Sequence, residues 1–98
     1  MIKRIVKMVF RKDSCEAFIH IFDNACDAIR GSNGCHYLEL VRDRDDPRIF
    51  FTISIWENEE ALEAYRNSDL FGKTWVATKA LFDEAPKAWS TDSLRLPG

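Results

Sequence analysis

The chain has too few cysteines, at the wrong spacings, to be held together by disulfides or by zinc. Cys15, Cys26 and Cys35 are an odd count, eleven and nine positions apart, which fits neither a secreted disulfide framework nor a CxxC metal pattern. They read as free thiols, with Cys15 and Cys26 at the flank of a helical apolar stripe, where partial burial rather than reactivity follows. An excess of positive charge is also missing. Fourteen basic residues stand against 16 acidic ones, for a formal net charge of −2, and no basic run is longer than Lys3-Arg4 or Arg11-Lys12, so a nucleic-acid backbone finds no electrostatic footprint. No apolar run approaches the roughly 20 residues that cross a bilayer. The N-terminal segment from Met1 to Lys7 has neither the apolar core nor the cleavage site of a signal peptide. The expected location is the cytoplasm, with no nucleic-acid or membrane partner. No repeat, low-complexity tract or linker divides the 98 residues. They are expected to form one domain, 1–98, large enough for a single core but small for a core and a deep private cavity together. A partner subunit would ease that shortage.

What the chain does have is clear periodicity. Ile2 to Phe10 alternates as a strand, with Ile2, Val6, Met8 and Phe10 on one face and Ile5 and Val9 on the other beside Lys3 and Lys7. Asp13 followed by Glu16 has capping-box spacing, and Gly31 supplies a left-handed stop, which predicts a helix from about Ser14 to Arg30 with a core stripe of Phe18, Ile21, Phe22, Ala25 and Ile29. His20 falls on its solvated side. Cys35 to Arg42 alternates again, placing His36, Leu38 and Leu40 together, and the charged Asp43-Arg44-Asp45-Asp46-Pro47 reads as a hairpin loop. Arg48 to Trp56 is the strongest strand: Ile49, Phe51, Ile53 and Ile55 share one face, and Phe50, Thr52, Ser54 and Trp56 the other. Asn58 caps a short helix carrying Ala61, Leu62 and Tyr65. Ser68 or Asp69 caps the next, whose stripe reads Phe71, Trp75, Thr78 and Phe82 and which stops before Pro86. A last strand is predicted over about Lys87 to Leu94.

That order is β-α-β-β-α-β with the second helix broken: an α+β, ferredoxin-like unit of four antiparallel strands with helices on one face. The first and third strands carry apolar residues on both sides. Helices cover only one of them, so the other is expected to mediate a sheet-to-sheet homodimer. Parity groups the residues of each strand but does not decide which group faces the helices.

Two stretches, Gly34-Cys35-His36-Tyr37-Leu38-Glu39-Leu40-Val41-Arg42-Asp43 and Trp56-Glu57-Asn58 through Ala61-Leu62-Glu63-Ala64-Tyr65 to Ser68-Asp69-Leu70-Phe71, resemble the antibiotic biosynthesis monooxygenase (ABM) family in order and spacing. The resemblance covers most of the chain and implies a dimeric α/β barrel, with a pocket between sheet and helices where O2 is used on an aromatic substrate or haem. In the haem-degrading branch a strand Asn, a helical Trp and a His form the working set. Lys7, Tyr65 and Trp75 stand at the matching places here, and Trp75 cannot ligate iron. That disfavours haem, even with His36 or His20 as substitute ligands. The resemblance to the cofactor-free branch implies a monooxygenase of a small aromatic or quinol-type substrate, with no cofactor or metal.

Such chemistry needs flat apolar walls, a base and a hydrogen-bond donor, because an ionised phenol in a dry pocket becomes a better electron donor to O2. Trp56, Trp75, Phe71 and Phe51 are candidate walls. His36 is the candidate base, and Tyr65 or Lys7 the candidate donor. Each has a structural rival: Trp75, Trp56 and Tyr65 as plain core, His36 as a hydrogen-bonded rim residue, Lys7 as a solvated strand lysine. The competing reading of the whole is a non-catalytic dimeric α/β-barrel protein that binds a small molecule. An RNA-recognition domain is disfavoured because Phe50 and Phe51 are adjacent and point to opposite faces. A metal carrier is disfavoured because Cys15 stands alone.

Overall fold

The two segments richest in β-branched and aromatic residues take the centre of the sheet, where a strand must pair on both edges. In the computed structural model, which describes residues 1–98, these are β1 (Ile2–Phe10) and β3 (Ile49–Trp56), flanked by β2 (Cys35–Arg42) and β4 (Phe82–Asp92) in the antiparallel order β2-β3-β1-β4. Three helices, α1 (Cys15–Arg30), α2 (Glu59–Arg66) and α3 (Asp69–Lys79), cover one face. This is the ferredoxin-like α+β arrangement expected from the sequence. No helix is long and apolar enough to cross a membrane.

The pairing of Met8 with Phe50 and of Ile2 with Trp56 sets which side chains the helices cover. Arg4, Val6, Met8 and Phe10 of β1, with Phe50, Thr52, Ser54 and Trp56 of β3, turn toward the helices. Lys3, Ile5, Lys7, Phe51, Ile53 and Ile55 therefore occupy the open face. There they are joined by Trp89 and Tyr37, which are 46% and 41% exposed.

The core is divided between the two ends of the sheet. At one end Phe10 stacks on Phe18 with centroids 4.2 Å apart, and Phe50 meets both rings edge-on. At the other, Trp56 packs with Cys35 and Leu62 and is only 1% exposed. Rings of this size contribute most of the apolar burial available to a small domain.

Several local expectations are corrected. Asp13 falls in a single 3-10 turn (Lys12–Ser14) ahead of α1, and neither it nor Ser14 caps the helix with its side chain. Gly31 closes α1 at a φ of −79°, an ordinary right-handed value. Gly34 has the left-handed φ of +83°, because there the chain must reverse into β2 directly against α2. The predicted α3 stripe is cut short. Phe82 lies at the start of β4 rather than on the helix, and still reaches Trp75 and Phe10 at 5.6 and 5.3 Å. Pro86 lies inside β4 rather than before it. It is tolerated because β4 is an edge strand with a register shift opposite Lys7 and Val9, where no ladder N–H is required.

Gly34→Ala tests the close approach. A Cβ at this position would lie 2.5 Å from the Ala61 Cβ, on a backbone that L-residues avoid. Chemical denaturation should show a loss on the order of 3 kcal/mol. Adding Ala61→Gly should restore the steric part but not the backbone part.

Candidate active site

Between the two core clusters the helices stand off the sheet and leave a cavity of about 370 Å³. Its wall on the helix side follows from how α2 and α3 are joined. Asn58 Oδ1 accepts the Ala61 N–H at 2.9 Å and starts α2, and Ser68 Oγ accepts the Phe71 N–H at 3.2 Å and starts α3. Ser68 also donates its own proton to the Tyr65 carbonyl at 2.6 Å, so one residue fixes the angle at which Tyr65 and Phe71 meet. The result is a run of rings along the cavity. Trp56 stacks on Tyr65 at 4.8 Å and 24°, Tyr65 meets Phe71 edge-on at 5.3 Å, and Phe71 stacks on Trp75 at 5.8 Å and 14°.

Few polar groups interrupt this lining. Trp56 donates its Nε1–H to Ser54 Oγ at 3.0 Å, deep in the structure. That occupies a lone pair of Ser54 and leaves its hydroxyl proton without an acceptor in the protein, on a residue that lines the cavity. The Thr78 hydroxyl is already engaged, donating to the Thr74 carbonyl at 2.7 Å. Tyr65 is half-buried, and burial pushes its phenol up to about 12, with the nearby Cys35 a smaller influence. At neutral pH it is a hydrogen-bond donor and not a base. Burial also raises the Cys35 thiol.

Cations gather at the cavity. Arg4 reaches it from β1 and Arg66 from the last turn of α2, whereas Lys87 borders it from β4 but, as the register partner of Lys7, turns its side chain to the open face. No Asp, Glu or His side chain lines it. No group of three or more His, Cys, Asp or Glu residues is arranged to hold a metal ion anywhere in the chain.

Of the residues singled out from sequence, Tyr65, Trp56, Phe71 and Trp75 come together on the cavity wall. Lys7 and Phe51 do not. They are register partners on the open face, because both have the opposite parity to the cavity residues. His36 is also elsewhere. Cys35 pairs with Trp56 and Tyr37 with Ile55, so His36 is the extra residue of a β-bulge and is exposed, while Cys35 takes the inward place that simple alternation gives to His36. His20 is exposed on α1, as expected. Arg4, Ser54 and Arg66 were not singled out from sequence. Arg4 was legible, since it shares the parity of Val6 and Met8, and so was Ser54, which shares the parity of Trp56.

Residues 1–76 match the family described as "antibiotic biosynthesis monooxygenase". A search of curated proteins returns no match. Among solved structures, an antibiotic biosynthesis monooxygenase superposes with a TM-score of 0.91 at 18% identity, over 97% of this chain and 100% of that one. A conserved protein of Methanosarcina mazei Go1 gives 0.88 at 16% identity, over 92% and 89%. SnoaB, a cofactor-independent oxygenase of Streptomyces nogalater, gives 0.87 at 15% identity, over 97% and 94%. At these identities the likeness is one of fold.

The buried Tyr65 phenol leaves a trace in stability. Above its ordinary value of 10 the unfolded chain ionises this tyrosine, while the folded chain keeps it protonated up to about 12. The folded state then binds more protons, and stability falls as pH rises through that window, by on the order of 2 kcal/mol from this residue. Denaturation measured from pH 9 to 12 should show the decline, and Tyr65→Phe should make it shallower.

Proposed function

The chain belongs to the antibiotic biosynthesis monooxygenase family, and from that premise we propose that it is a cofactor-independent monooxygenase that oxidises a small aromatic or quinol-type substrate in the cavity beneath Tyr65. The observation that carries this reading is the run of stacked and edge-on rings from Trp56 to Trp75 beside two unengaged hydroxyl donors, Tyr65 and Ser54. Flat apolar walls hold a planar ring and exclude water. The two hydroxyls favour the substrate's oxyanion over its neutral phenol. That oxyanion passes an electron to O2, and the caged pair recombines to form a carbon–oxygen bond. For an anthrone-like methylene the balance is CH2 + O2 → C=O + H2O, all electrons coming from the substrate.

The lining alters the expected division of labour. His36 cannot serve as base from its exposed position on the bulge, and no carboxylate replaces it at the cavity. The substrate proton therefore leaves to water, and the protein's part is to stabilise the anion. The absence of histidine from the lining, with Trp75 in place of an iron ligand, also argues against a haem reading. The same lack of a base favours one rival: a binding protein that holds the aromatic molecule without turning it over.

An oxygen electrode decides between the two. With dithranol and 1,4-dihydroxynaphthalene as substrates, the protein should consume O2 faster than the uncatalysed background. Tyr65→Phe should lower kcat/KM on the order of a hundredfold. His36→Ala should leave it unchanged, and the pH profile should follow substrate ionisation with no inflection from an imidazole. Binding of both compounds without O2 uptake would leave the binding-protein reading standing.

We further propose that the open sheet face joins two copies of the chain. Phe51, Ile53, Ile55, Ile5 and Trp89 form an apolar band on it, with Lys7 and Glu39 on the same face to pair across a two-fold axis. Light scattering after gel filtration should report twice the 11.4 kDa chain mass, and Phe51→Asp should return it to one. A monomeric parent protein would rule this out.

A further inference from the structure

The cavity's charges are not explained by the need to hold a flat ring. Arg4 is the clearest case. It is half-buried on the helix side of the sheet, and its side chain makes one hydrogen bond, from Nη1 to the neutral hydroxyl of Ser90 at 2.9 Å. No carboxylate pairs with it; the three ion pairs of the structure are Arg48 with Asp46, Arg48 with Asp83, and Arg66 with Glu63. Burial holds its guanidinium below the ordinary value, and repulsion from Arg66 adds to this, only partly offset by Glu63. Arg66 lines the same cavity, and no acid does. This local excess of positive charge occurs on a chain whose net charge is −2.

A partly desolvated cation with no counter-ion is costly, and a bound anion removes that cost. The donors of Arg4 not bonded to Ser90 form a planar fork that suits a carboxylate in bidentate contact. We propose that the cavity takes an aromatic acid, a planar ring held against Tyr65 and Trp75 with a carboxylate seated on Arg4 and flanked by Arg66. This rests on the reading of the cavity as an aromatic-binding site and adds the charge of its ligand.

Titration calorimetry near neutral pH with 1-hydroxy-2-naphthoate and 1-naphthol, which share a ring system and differ in the carboxylate, tests it. The naphthoate should bind about tenfold or more tighter than the naphthol. Arg4→Gln should remove that preference while leaving naphthol affinity in place, and Arg4→Lys should keep part of it. Lys12→Gln, the same charge loss on the exposed 3-10 turn, should change neither. Should Arg4→Gln not fold, the parent protein decides: raising salt should weaken the naphthoate and not the naphthol, and Arg66→Gln should act in the same direction as salt. Equal affinities, a preference for naphthol, or a loss with Lys12→Gln matching that with Arg4→Gln would overturn the inference and leave the aromatic-binding reading intact. Binding of neither compound would remove both.

Discussion

The contact on which the rest of the site depends is the one Trp56 makes in two directions. Its ring lies flat on Tyr65, tying the end of the central strand β3 to α2, and its N–H is spent on Ser54, two residues back on the same face. A buried indole N–H without a partner would be costly, so this bond fixes the Trp56 ring, and the ring in turn fixes the Tyr65 plane. From Tyr65 the order passes through the Ser68 cap to Phe71 and Trp75. A strand end, two helices and the loop between them are thus linked through the Trp56 ring and the Ser68 cap.

This explains how 98 residues hold a cavity and a core at once. The core is split into two small clusters at opposite ends of the sheet, and their inner surfaces are the cavity walls: Met8 and Phe18 from one, Trp56 and Leu62 from the other. Side chains that would fill a solid centre in another domain of this size line a space instead. Stability then rests on ring-to-ring contacts around the rim, and the apolar face on the far side of the sheet adds an area that a second copy of the chain would cover.

The two faces also separate two kinds of charge. Lys3 and Lys7 stand on the open face beside isoleucines, while Arg4, one residue away from Lys3, stands in the cavity. Alternation along one strand thus gives neighbouring basic residues unrelated roles. Lys7 was a reasonable candidate from its place in the strand, and a period of two is what removes it. Phe51 leaves the site for the same reason. His36 leaves it for a different one, a single extra residue in β2 that reverses parity between Cys35 and Tyr37. Nothing in the composition of Gly34-Cys35-His36-Tyr37 announces that bulge. It follows directly on Gly34, whose left-handed turn packs against Ala61.

The sequence by itself determined the element order, the cap at Asn58 and a second cap at Ser68 or Asp69, the aromatic content of the stretch from Trp56 to Trp75 and the family, because these depend on periodicity and on groups close together in the chain. Only the tertiary structure decided which face of each strand the helices cover, that the space between them stays open, and that Arg4 and Arg66 come together at a lining that contains no acid. Those outcomes depend on register between distant strands and on how far the helices stand from the sheet. A strand's alternation pairs its own residues with one another, and it takes the rest of the fold to say which set is inside.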